Sequence, residues 1–503
     1  MATDSSATTG QHVDVLIVGA GISGIGAACH LMRDRPGTSF TILERREQIG
    51  GTWDLFRYPG VRSDSDMYTF GYDFRPWTEL KVLADGPSIR EYVQATAEEY
   101  RVRERIRFGV RVVSASWSTE DGRWTVEAID ESDGSTHTYT SNFFVGCTGY
   151  YDYDQGYQPQ FPGREDFTGT FVHPQFWPED LDYAGKKVVV IGSGATAVTI
   201  VPAMAGVASH VTMLQRSPTY VLSLPALDKI SGQLKRVLPD KAVYHLARGR
   251  NILIQRVLYS GARAMPNAVR SLIASGAKSR IGPDIDMRHF TPKYDPWDQR
   301  LCVIPDGDLF RALREKKASI VTDTIERLTP TGIRLASGAE LEADIIVSAT
   351  GLKVQLLGGM QVVVDGSPVD PHDLMTYKGL LLENVPNAAM IFGYTNASWT
   401  LKVDISCNYL CRLLDHMDRH GYTQVVPRAS SDVRTDESIL ASLNSGYVHR
   451  ADAVLPRQGA EAPWKVLNNY LRDRVMLARE PIDNPALEFS RGVRRPNLTS
   501  VAS

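Results

Sequence analysis

The chain has 503 residues, of which 43% are hydrophobic and 22% charged, and its formal net charge at pH 7 is -3. Such a composition is ordinary for a globular protein of two or three domains, and the near-neutral charge argues against a nucleic-acid partner. The five cysteines are odd in number and lack C-x-x-C or metal-finger spacing, which predicts free thiols in a reducing compartment and no metal site.

The N-terminal stretch MATDSSATTGQH is polar and has no apolar core of the kind found in secretion signals. No segment reaches the ~20 apolar residues that a membrane span needs. We therefore expect a cytoplasmic protein.

The first nucleotide-binding motif follows an apolar run over 13–18 that only Asp14 interrupts. The run leads into Gly19, Gly21 and Gly24, spaced as G-x-G-x-x-G. Glycines at this spacing permit a tight strand-to-helix turn and a close approach of backbone to a pyrophosphate, which binds at the helix N-terminus. The pattern predicts a dinucleotide-binding domain.

The next predicted strand, over 39–43, ends at Glu44, 20 residues after Gly24 (44 - 24). That interval suits a carboxylate that accepts hydrogen bonds from the ribose hydroxyls of an adenosine. An acidic side chain at the exposed end of a strand is the plain alternative. The complete motif favours a cofactor with a free ribose, FAD or NAD.

The middle of the first domain is less regular. The stretch GGTWDLFRYPGVRSDSD, over 50–66, is rich in turn formers and aromatics and has neither helical nor strand periodicity. A helix is expected over 87–104, with strands near 107–117 and 124–128. The run NFFVGCTGY, over 142–150, predicts a strand that ends in a turn of small residues. It resembles the element at which flavoproteins cross between nucleotide domains, and DIIVSATG, over 344–351, is a second copy.

A second nucleotide-binding motif begins with an apolar run over 188–191. Gly192, Gly194 and Ala197 are spaced as G-x-G-x-x-A, and Thr196 lies at the start of the expected helix. The strand over 211–215 ends without an acid and runs into Arg216. A guanidinium there can bind a 2'-phosphate, so NADPH is favoured over NADH, with a solvent-exposed arginine as the alternative.

An insertion with helical spacing is expected over 221–290. Between 225 and 280 it holds eleven Lys or Arg residues and two acids, Asp228 and Asp240. Basic amphipathic helices can lie on anionic membranes, although a helical cap with a solvated face is the more ordinary interpretation. The two roles are compatible.

The stretch FTGTFVHPQFWP, over 167–178, lies between the two motifs and predicts a hinge. Its pattern F-x-G-x-x-x-H-x-x-x-W-P resembles the fingerprint of type I Baeyer-Villiger monooxygenases, with His173 and Trp177 at the two most telling positions. Flavin monooxygenases restricted to amines and sulfides usually have Tyr or Phe in place of Trp177. A linker histidine that merely hydrogen-bonds to backbone is the alternative for His173, and in either case its role is conformational.

Other stretches extend this resemblance over nearly the whole chain. The pattern GG-x-W-x(4)-YPG-x(3)-D places Gly51, Trp53 and Asp64 in a signature of these flavin-dependent enzymes. PWDQRLC and GYTNASWTLK resemble the subfamily that activates the prodrug ethionamide. The first contains Arg300, for which a loop salt bridge is the plain alternative to a catalytic role. The second contains Asn396 and Trp399, which the resemblance places beside the flavin, with a helix-capping Asn and a core Trp as the alternatives.

The resemblance implies catalytic roles for Arg300 and Asp64. Arg300 would stabilise negative charge that develops on oxygen, and Asp64 would hold Arg300 in place and favour a deprotonated peroxide. Many relatives have Lys where this chain has Gln299, so NADPH discrimination would depend more on Arg216.

The fold class expected is α/β, with two Rossmann-like domains for FAD and NADPH, the second inserted in the first, and a helical cap. We expect the first part of the FAD domain over 10–150 and the hinge with the first part of the NADPH domain over 151–220. The cap would cover 221–292, the rest of the NADPH domain 293–351, and the rest of the FAD domain with the C-terminal tail 352–503.

The predicted function is an NADPH- and O2-dependent monooxygenase that converts ketones to esters or lactones through a C4a-peroxyflavin, and sulfides or thiocarbonyls to sulfoxides. One alternative is a flavin monooxygenase restricted to sulfur and nitrogen. Another is an NADPH-dependent flavin reductase without oxygen insertion, for which the cysteine spacing offers no disulfide centre. A non-enzymatic membrane-binding role would have only the basic cap in its favour. Physiological substrate and oligomeric state are not encoded in any motif.

Overall fold

The computed structural model describes residues 8–299 and 301–492. Within these ranges no helix is both long and apolar enough to span a bilayer. The helices, in chain order, are α1 (Ile22–Asp34), α2 (Thr52–Leu55), α3 (Met67–Phe70), α4 (Gly86–Glu99), α5 (Ala195–Met204), α6 (Lys229–Leu234), α7 (Asp240–Ala264), α8 (Pro266–Ile281), α9 (Asp308–Arg314), α10 (Trp399–His420), α11 (Gly446–Ala451) and α12 (Tyr470–Ala478).

The strands, in chain order, are β1 (Thr8–Val18), β2 (Phe40–Leu43), β3 (Ile106–Arg107), β4 (Val110–Ser118), β5 (Arg123–Asp130), β6 (Thr136–Gly146), β7 (Tyr151–Gly156), β8 (Thr170–Val172), β9 (Lys187–Ile191), β10 (His210–Gln215), β11 (Val221–Leu224), β12 (Cys302–Pro305), β13 (Ala318–Thr322), β14 (Ile325–Thr329), β15 (Gly332–Leu335), β16 (Glu340–Glu342), β17 (Ile345–Ser348), β18 (Leu352–Val354), β19 (Gln361–Val364), β20 (Ser367–Pro368), β21 (Thr376–Tyr377), β22 (Leu381–Leu382), β23 (Ala388–Met390), β24 (Gln424–Pro427), β25 (Arg434–Ser438), β26 (Arg457–Gly459) and β27 (Leu487–Ser490).

The first unit is built on a nine-stranded sheet in the order β20-β19-β4-β5-β6-β1-β2-β3, with β23 also paired to β6. Its parallel part runs β3-β2-β1-β6-β23. Both faces are covered, because Val15 and Ile17 of β1 enter one apolar cluster and Leu16 and Val18 enter the other. A strand buried on both faces needs a continuous apolar run, which is what 15–18 provides.

The second unit has a five-stranded sheet in the order β13-β10-β9-β17-β8, and all its pairings are parallel. Its strands come from residues 170–348, which lie in the chain between β6 and β23 of the first sheet. The α/β class and the insertion of the second unit in the first are therefore confirmed. The exact domain boundaries stay a prediction.

Three local expectations were wrong. The predicted strand over 107–117 is two strands, β3 and β4, because Gly109 turns the chain between them at φ +70°. The helix expected over 87–104 ends at Glu99. The cap is helical only from Lys229, because β11 at its start pairs in parallel with β12 after its end.

The cap consists of α6, α7 and α8, and it is attached to the first unit by polar side chains of α7. The buried guanidinium of Arg248 donates to the carbonyl oxygens of Tyr68 and Gly71, at 2.9 and 2.8 Å, and to the carboxylate of Asp404, at 3.1 Å. A buried arginine with several directional hydrogen bonds fixes orientation more than it adds stability. It therefore holds α7 at one angle to the first unit.

Candidate functional site

A cavity of about 330 Å³ opens at the carboxyl edge of the first sheet, where β1, β2 and β6 end. Ligands of open parallel sheets bind at this edge. One part of its wall comes from the first unit and includes Gly19, Gly21, Glu44, Gly51, Trp53 and Asp64. Another part comes from the second unit and includes Thr196 and Thr199 on α5 and Val303 on β12. Both units therefore face one space.

The first glycine motif has the backbone geometry that its spacing predicts. Gly19 has φ +102°, and a Cβ there would lie 2.5 Å from the carbonyl oxygen of Cys147. A Cβ on Gly24 would lie 1.8 Å from the carbonyl oxygen of Gly19, so only glycine lets α1 pack this closely on the turn. Gly21 caps α1 and lies against Gly51, whose added Cβ would be 3.0 Å from the Gly21 Cα. Side-chain-free backbone therefore lines the cavity beside a helix N-terminus, which suits a pyrophosphate.

Glu44 lies at the end of β2, is 6% exposed, and lines the cavity. Its two carboxylate oxygens accept hydrogen bonds from the backbone N–H groups of Ala20 (2.6 Å) and Arg46 (2.8 Å). Burial raises the pKa of this carboxyl, and the two backbone donors oppose the rise. The carboxylate is thus held at the glycine turn, as an acceptor for ribose hydroxyls would need to be.

The loop over 50–66 is irregular, as predicted, apart from the single turn α2. Trp53 packs edge-on against Phe70, with ring centroids 5.7 Å apart, and lines the cavity. The loop is held by Asp54, a buried carboxylate that no sequence motif singled out. It pairs with Arg46 at 2.8 Å, Arg57 at 2.7 Å and Arg90 at 3.4 Å.

Asp64 is partly buried in the cavity wall, in the same short stretch as Arg62 and Ser63. Arg300, its predicted partner, lies outside the described residues. The chain next to that position reaches the cavity, because Val303 lines it. The pairing of Asp64 with Arg300 stays a prediction.

The second glycine motif repeats the turn of the first. Gly192 has φ +143°, and a Cβ there would lie 2.4 Å from the carbonyl oxygen of Ala349. Gly194 caps α5, and a Cβ added to it would have no heavy atom within 4 Å, so the space in front of the helix is open. Arg216 follows β10 and is exposed. Neither Gly194 nor Arg216 is among the residues that line the cavity, whereas Thr196 is.

His173 contacts both segments by which the chain crosses between the two units, one at the end of β7 and the other just before β18. Its Nε2 is 3.2 Å from the carbonyl oxygen of Gly351, and its Nδ1 accepts from the N–H of Gln175 at 3.2 Å. The ring lies on Gly156, where an added Cβ would be 2.1 Å from the His173 Cε1. Gly156 ends β7 and Gly351 precedes β18, and these two strands pair. Burial lowers the pKa of His173, which favours the neutral ring.

Trp177, the other predicted hinge residue, is partly buried against the apolar core of the second unit. His173 thus contacts the crossings while Trp177 packs on one side of them. This arrangement is compatible with a hinge and also with a purely structural linker.

The segment 393–399 brings the C-terminal part of the chain to the cavity. Trp399 lines it, stacks on Tyr150 with centroids 5.5 Å apart, and donates from Nε1 to the Ser23 hydroxyl at 2.8 Å. Asn396 does not line the cavity in this structure, because its Nδ2 donates to the carbonyl oxygen of Asn468 at 2.9 Å. Its predicted cofactor contact is untested.

A buried charged cluster lies behind this segment, and no sequence motif indicated it. Lys402 on α10 lies 3.4 Å from Asp473 on α12, with 5% and 1% of their side chains exposed. The Tyr394 hydroxyl, whose residue lines the cavity, donates to Asp473 at 2.8 Å. Burial lowers the pKa of Lys402 and raises that of Tyr394. The cluster fixes one cavity wall to the C-terminal helix.

All five cysteines are buried, and none of them forms a disulfide. The described residues contain no group of three or more His, Cys, Asp or Glu side chains that could hold a metal ion.

Comparisons with known proteins agree with this geometry. Residues 12–228 match the family model described as flavin-binding monooxygenase-like. The chain is 58% identical to a Mycobacterium tuberculosis protein, MymA, named as an FAD-containing monooxygenase, over 95% of this chain and 98% of MymA. It is 52% identical to the FAD-containing monooxygenase EthA of the same organism, over 96% and 98% of the two chains.

Solved structures show the same fold at low sequence identity. Steroid monooxygenase bound to NADP superposes with a TM-score of 0.76 and 23% identity, over 96% of this chain and 100% of that one. Cyclohexanone monooxygenase bound to ε-caprolactone superposes with a TM-score of 0.75 and 20% identity, over the same shares. At this identity the likeness concerns the fold alone.

Proposed function

The chain belongs to the family of FAD-containing monooxygenases, and from that premise we propose that it is an NADPH- and O2-dependent enzyme of the Baeyer-Villiger type. It would convert a ketone, NADPH, a proton and O2 to an ester or lactone, NADP+ and water, and it would also oxidise sulfides and thiocarbonyls. The observation that carries the proposal is the shared cavity, which is lined by the glycine turn of the first unit and by α5 of the second.

The first unit fits FAD. Gly19, Gly21 and Gly51 leave backbone bare at the N-terminus of α1, and Glu44 supplies a buried carboxylate that is hydrogen-bonded to the same turn. Gly24 allows the packing that holds this turn. Bound FAD supplies the transfer of electrons from NADPH to O2. The chain's own contribution here is position and exclusion of water, since Trp53 and Trp399 make the wall aromatic.

The second unit fits NADPH. The turn at Gly192 and the open space before Gly194 suit a pyrophosphate on α5, and Thr196 extends from the same helix into the shared cavity. Arg216 stands exposed where a carboxylate would select NADH, and it would bind the 2'-phosphate. An open site suits a cofactor that exchanges in each turnover.

Arg300 and Asp64 would carry out the oxygen transfer to carbon. Negative charge develops on oxygen when a ketone carbonyl is attacked, and a fixed guanidinium in a water-poor site stabilises it. Asp64 in the cavity wall would orient that guanidinium. Trp177 stands where enzymes restricted to sulfur and nitrogen usually have Tyr or Phe, which supports ketones as substrates.

The five buried thiols, none of which forms a disulfide, support a reducing compartment, and we place the enzyme in the cytoplasm. The same thiols argue against a disulfide-dependent flavin reductase, because all five are buried and none forms a disulfide. The basic cap supports association with a membrane surface.

The test compares Arg300→Ala with Arg288→Ala, an exposed arginine of the cap border as the matched control. We expect Arg300→Ala to lower the rate of lactone formation from a cyclic ketone by about 10²- to 10³-fold, while FAD stays bound. Arg288→Ala should match the unaltered protein. Unchanged lactone formation in Arg300→Ala would remove the catalytic role of Arg300. Sulfoxide without any lactone from the unaltered protein would establish the sulfur-restricted alternative.

A further inference from the structure

The cap helix α7 has one buried face and one exposed apolar face. One contains Tyr244 and Ala247 and is buried against the first unit. The other is exposed and consists of Leu246, Leu253, Ile254 and Val257, whose exposed fractions are 55%, 61%, 48% and 61%. Their spacing of seven, eight and eleven residues after Leu246 places them on one side of a helix. We call these four residues the α7 stripe. An exposed apolar group of this kind marks an interaction surface.

The stripe is held outward by polar anchors on the opposite side of the helix. Besides Arg248, the amides of Asn251 and Gln255 donate to the carboxylate of Asp66, both at 2.8 Å. Asp66 is buried and caps α3 in the first unit. Because these anchors fix the rotation of α7 about its axis, the stripe cannot turn inward without breaking them.

Positive charge accompanies the stripe. On α7, Lys241 and Arg256 lie on one flank of the stripe. His245 and Arg263 lie on the same flank but face the carboxylates of Asp73 and Asp298. Several basic residues of the cap have no acidic partner within salt-bridge distance among the described residues; they are Lys229, Arg236, Lys241, Arg256, Lys278 and Arg280. Four of the others are neutralised by Asp240, Asp228, Asp298 and Asp295, and Arg248 pairs with Asp404.

We propose that the α7 stripe and its basic flank dock on the surface of an anionic phospholipid membrane, with α7 lying in the plane of the interface. An amphipathic helix with apolar residues on one side and Lys or Arg beside them binds such interfaces through apolar burial and attraction to anionic lipid. Docking of this kind needs no membrane-spanning helix. It is independent of the oxygenase chemistry and adds a location to it.

A second copy of the chain is the other occupant that an apolar face suggests, and the charge argues against it. A two-fold contact places the same patch on both partners. Near its axis it would bring basic flanks of two copies together, and like charges opposed across an interface disfavour association. Anionic lipid complements those flanks.

The experiment is flotation of the full-length, FAD-loaded protein with vesicles of phosphatidylcholine alone or with about 30% phosphatidylglycerol. The protein should float with the anionic vesicles and much less with the neutral ones. Leu253→Ser with Val257→Ser, and separately Lys241→Glu with Arg256→Glu, should each reduce the bound fraction by about tenfold or more. The matched control is Leu471→Ser with Val475→Ser, which removes two apolar residues of α12 that are 51% and 48% exposed.

NADPH oxidation with a water-soluble ketone should be the same in all these variants, which separates loss of docking from loss of chemistry or of folding. Equal flotation of the control and the α7 variants would overturn the proposal. So would a protein that ignores both vesicle types and sediments as a dimer that Leu253→Ser with Val257→Ser converts to a monomer, because the stripe would then be a self-association surface.

Discussion

The two nucleotide-binding units have the same sheet and differ at its edge. Both have a five-strand parallel core in which the glycine-turn strand is third, β3-β2-β1-β6-β23 in the first and β13-β10-β9-β17-β8 in the second. In both, the first glycine of the motif approaches the carbonyl of a crossing segment, Cys147 or Ala349. The turn is therefore set by the fold, and what distinguishes the two sites lies in the residues around it.

Those residues place a buried carboxylate in the first site and an exposed guanidinium in the second. In the first unit Gly24 brings α1 against the turn and Glu44 is buried at the second strand. In the second unit Ala197 occupies the corresponding place with a Cβ, Gln215 at the strand end is bonded inward to the His289 carbonyl, and Arg216 is exposed. We infer a cofactor that stays in the first site and one that exchanges in the second.

The largest difference should appear when an alanine is placed in each motif. Gly24→Ala puts a Cβ 1.8 Å from a backbone oxygen, so we expect a loss of about 4 kcal/mol or more in the free energy of unfolding, together with loss of bound FAD. Gly194→Ala meets nothing within 4 Å and should change stability by less than about 1 kcal/mol, while raising KM for NADPH. Thermal unfolding and flavin absorbance measure both. Retention of FAD by Gly24→Ala would contradict the packing argument.

Substitutions of Glu44, at the end of β2, and of Arg216, after the end of β10, should have effects of intermediate size. Each substitution should affect the binding of only one nucleotide. Arg216→Gln should raise KM for NADPH by about 10- to 100-fold and leave KM for NADH nearly unchanged, because only NADPH has a 2'-phosphate. Glu44→Gln should weaken FAD binding by about tenfold and leave the NADPH/NADH ratio alone. Steady-state kinetics with both nucleotides and FAD titration of the apoprotein test this. An altered nucleotide preference in Glu44→Gln would mean that the sites are not separate.

A substitution in the hinge should affect how tightly NADPH oxidation is coupled to oxygenation of the substrate. His173→Ala removes the contacts to both crossings, so NADPH oxidation should continue while more of the consumed O2 is released as hydrogen peroxide. Oxygen consumption with and without catalase measures the released fraction. A lower NADPH oxidation rate with the same product yield would instead fit a structural linker.

The smallest effect is a dependence of stability on pH. Burial lowers the folded-state pKa of His173 below the ~6.5 of an unfolded chain, so as the pH falls through ~6.5 the unfolded state binds a proton first. The folded state should therefore lose stability on acidification. The share due to this partly buried ring should stay below about 1 kcal/mol. Urea unfolding at about pH 7.5 and about pH 5.5 should show a smaller acid loss in His173→Asn than in the unaltered protein. Equal losses would mean that the ring is not shielded.

Short sequence patterns predicted those features of the structure that are formed within one short stretch of the chain. Both glycine turns, Glu44, the crossing strands and the aromatic loop each lie within a short stretch whose spacing carries the signal. The anchors of α7 and the cavity wall depend on residues far apart in the chain. Arg248 contacts Asp404 at a separation of 156 residues, and Tyr394 contacts Asp473 at a separation of 79 residues. A lysine such as Lys402 in an amphipathic helix resembles a surface charge until its distant partner is known. Only the fold identifies such pairs.

The central claim is that FAD in the first site and NADPH in the second site act together to insert one oxygen atom from O2 into a substrate. The most direct measurement is turnover of a cyclic ketone with NADPH under 18O2, with mass spectrometry of the product. We predict a lactone with one 18O atom, formed with consumption of one NADPH. The contradicting result is consumption of NADPH with hydrogen peroxide as the only product, while the ketone, and a thioether in a parallel assay, stay unchanged. That result would indicate a flavin reductase or oxidase.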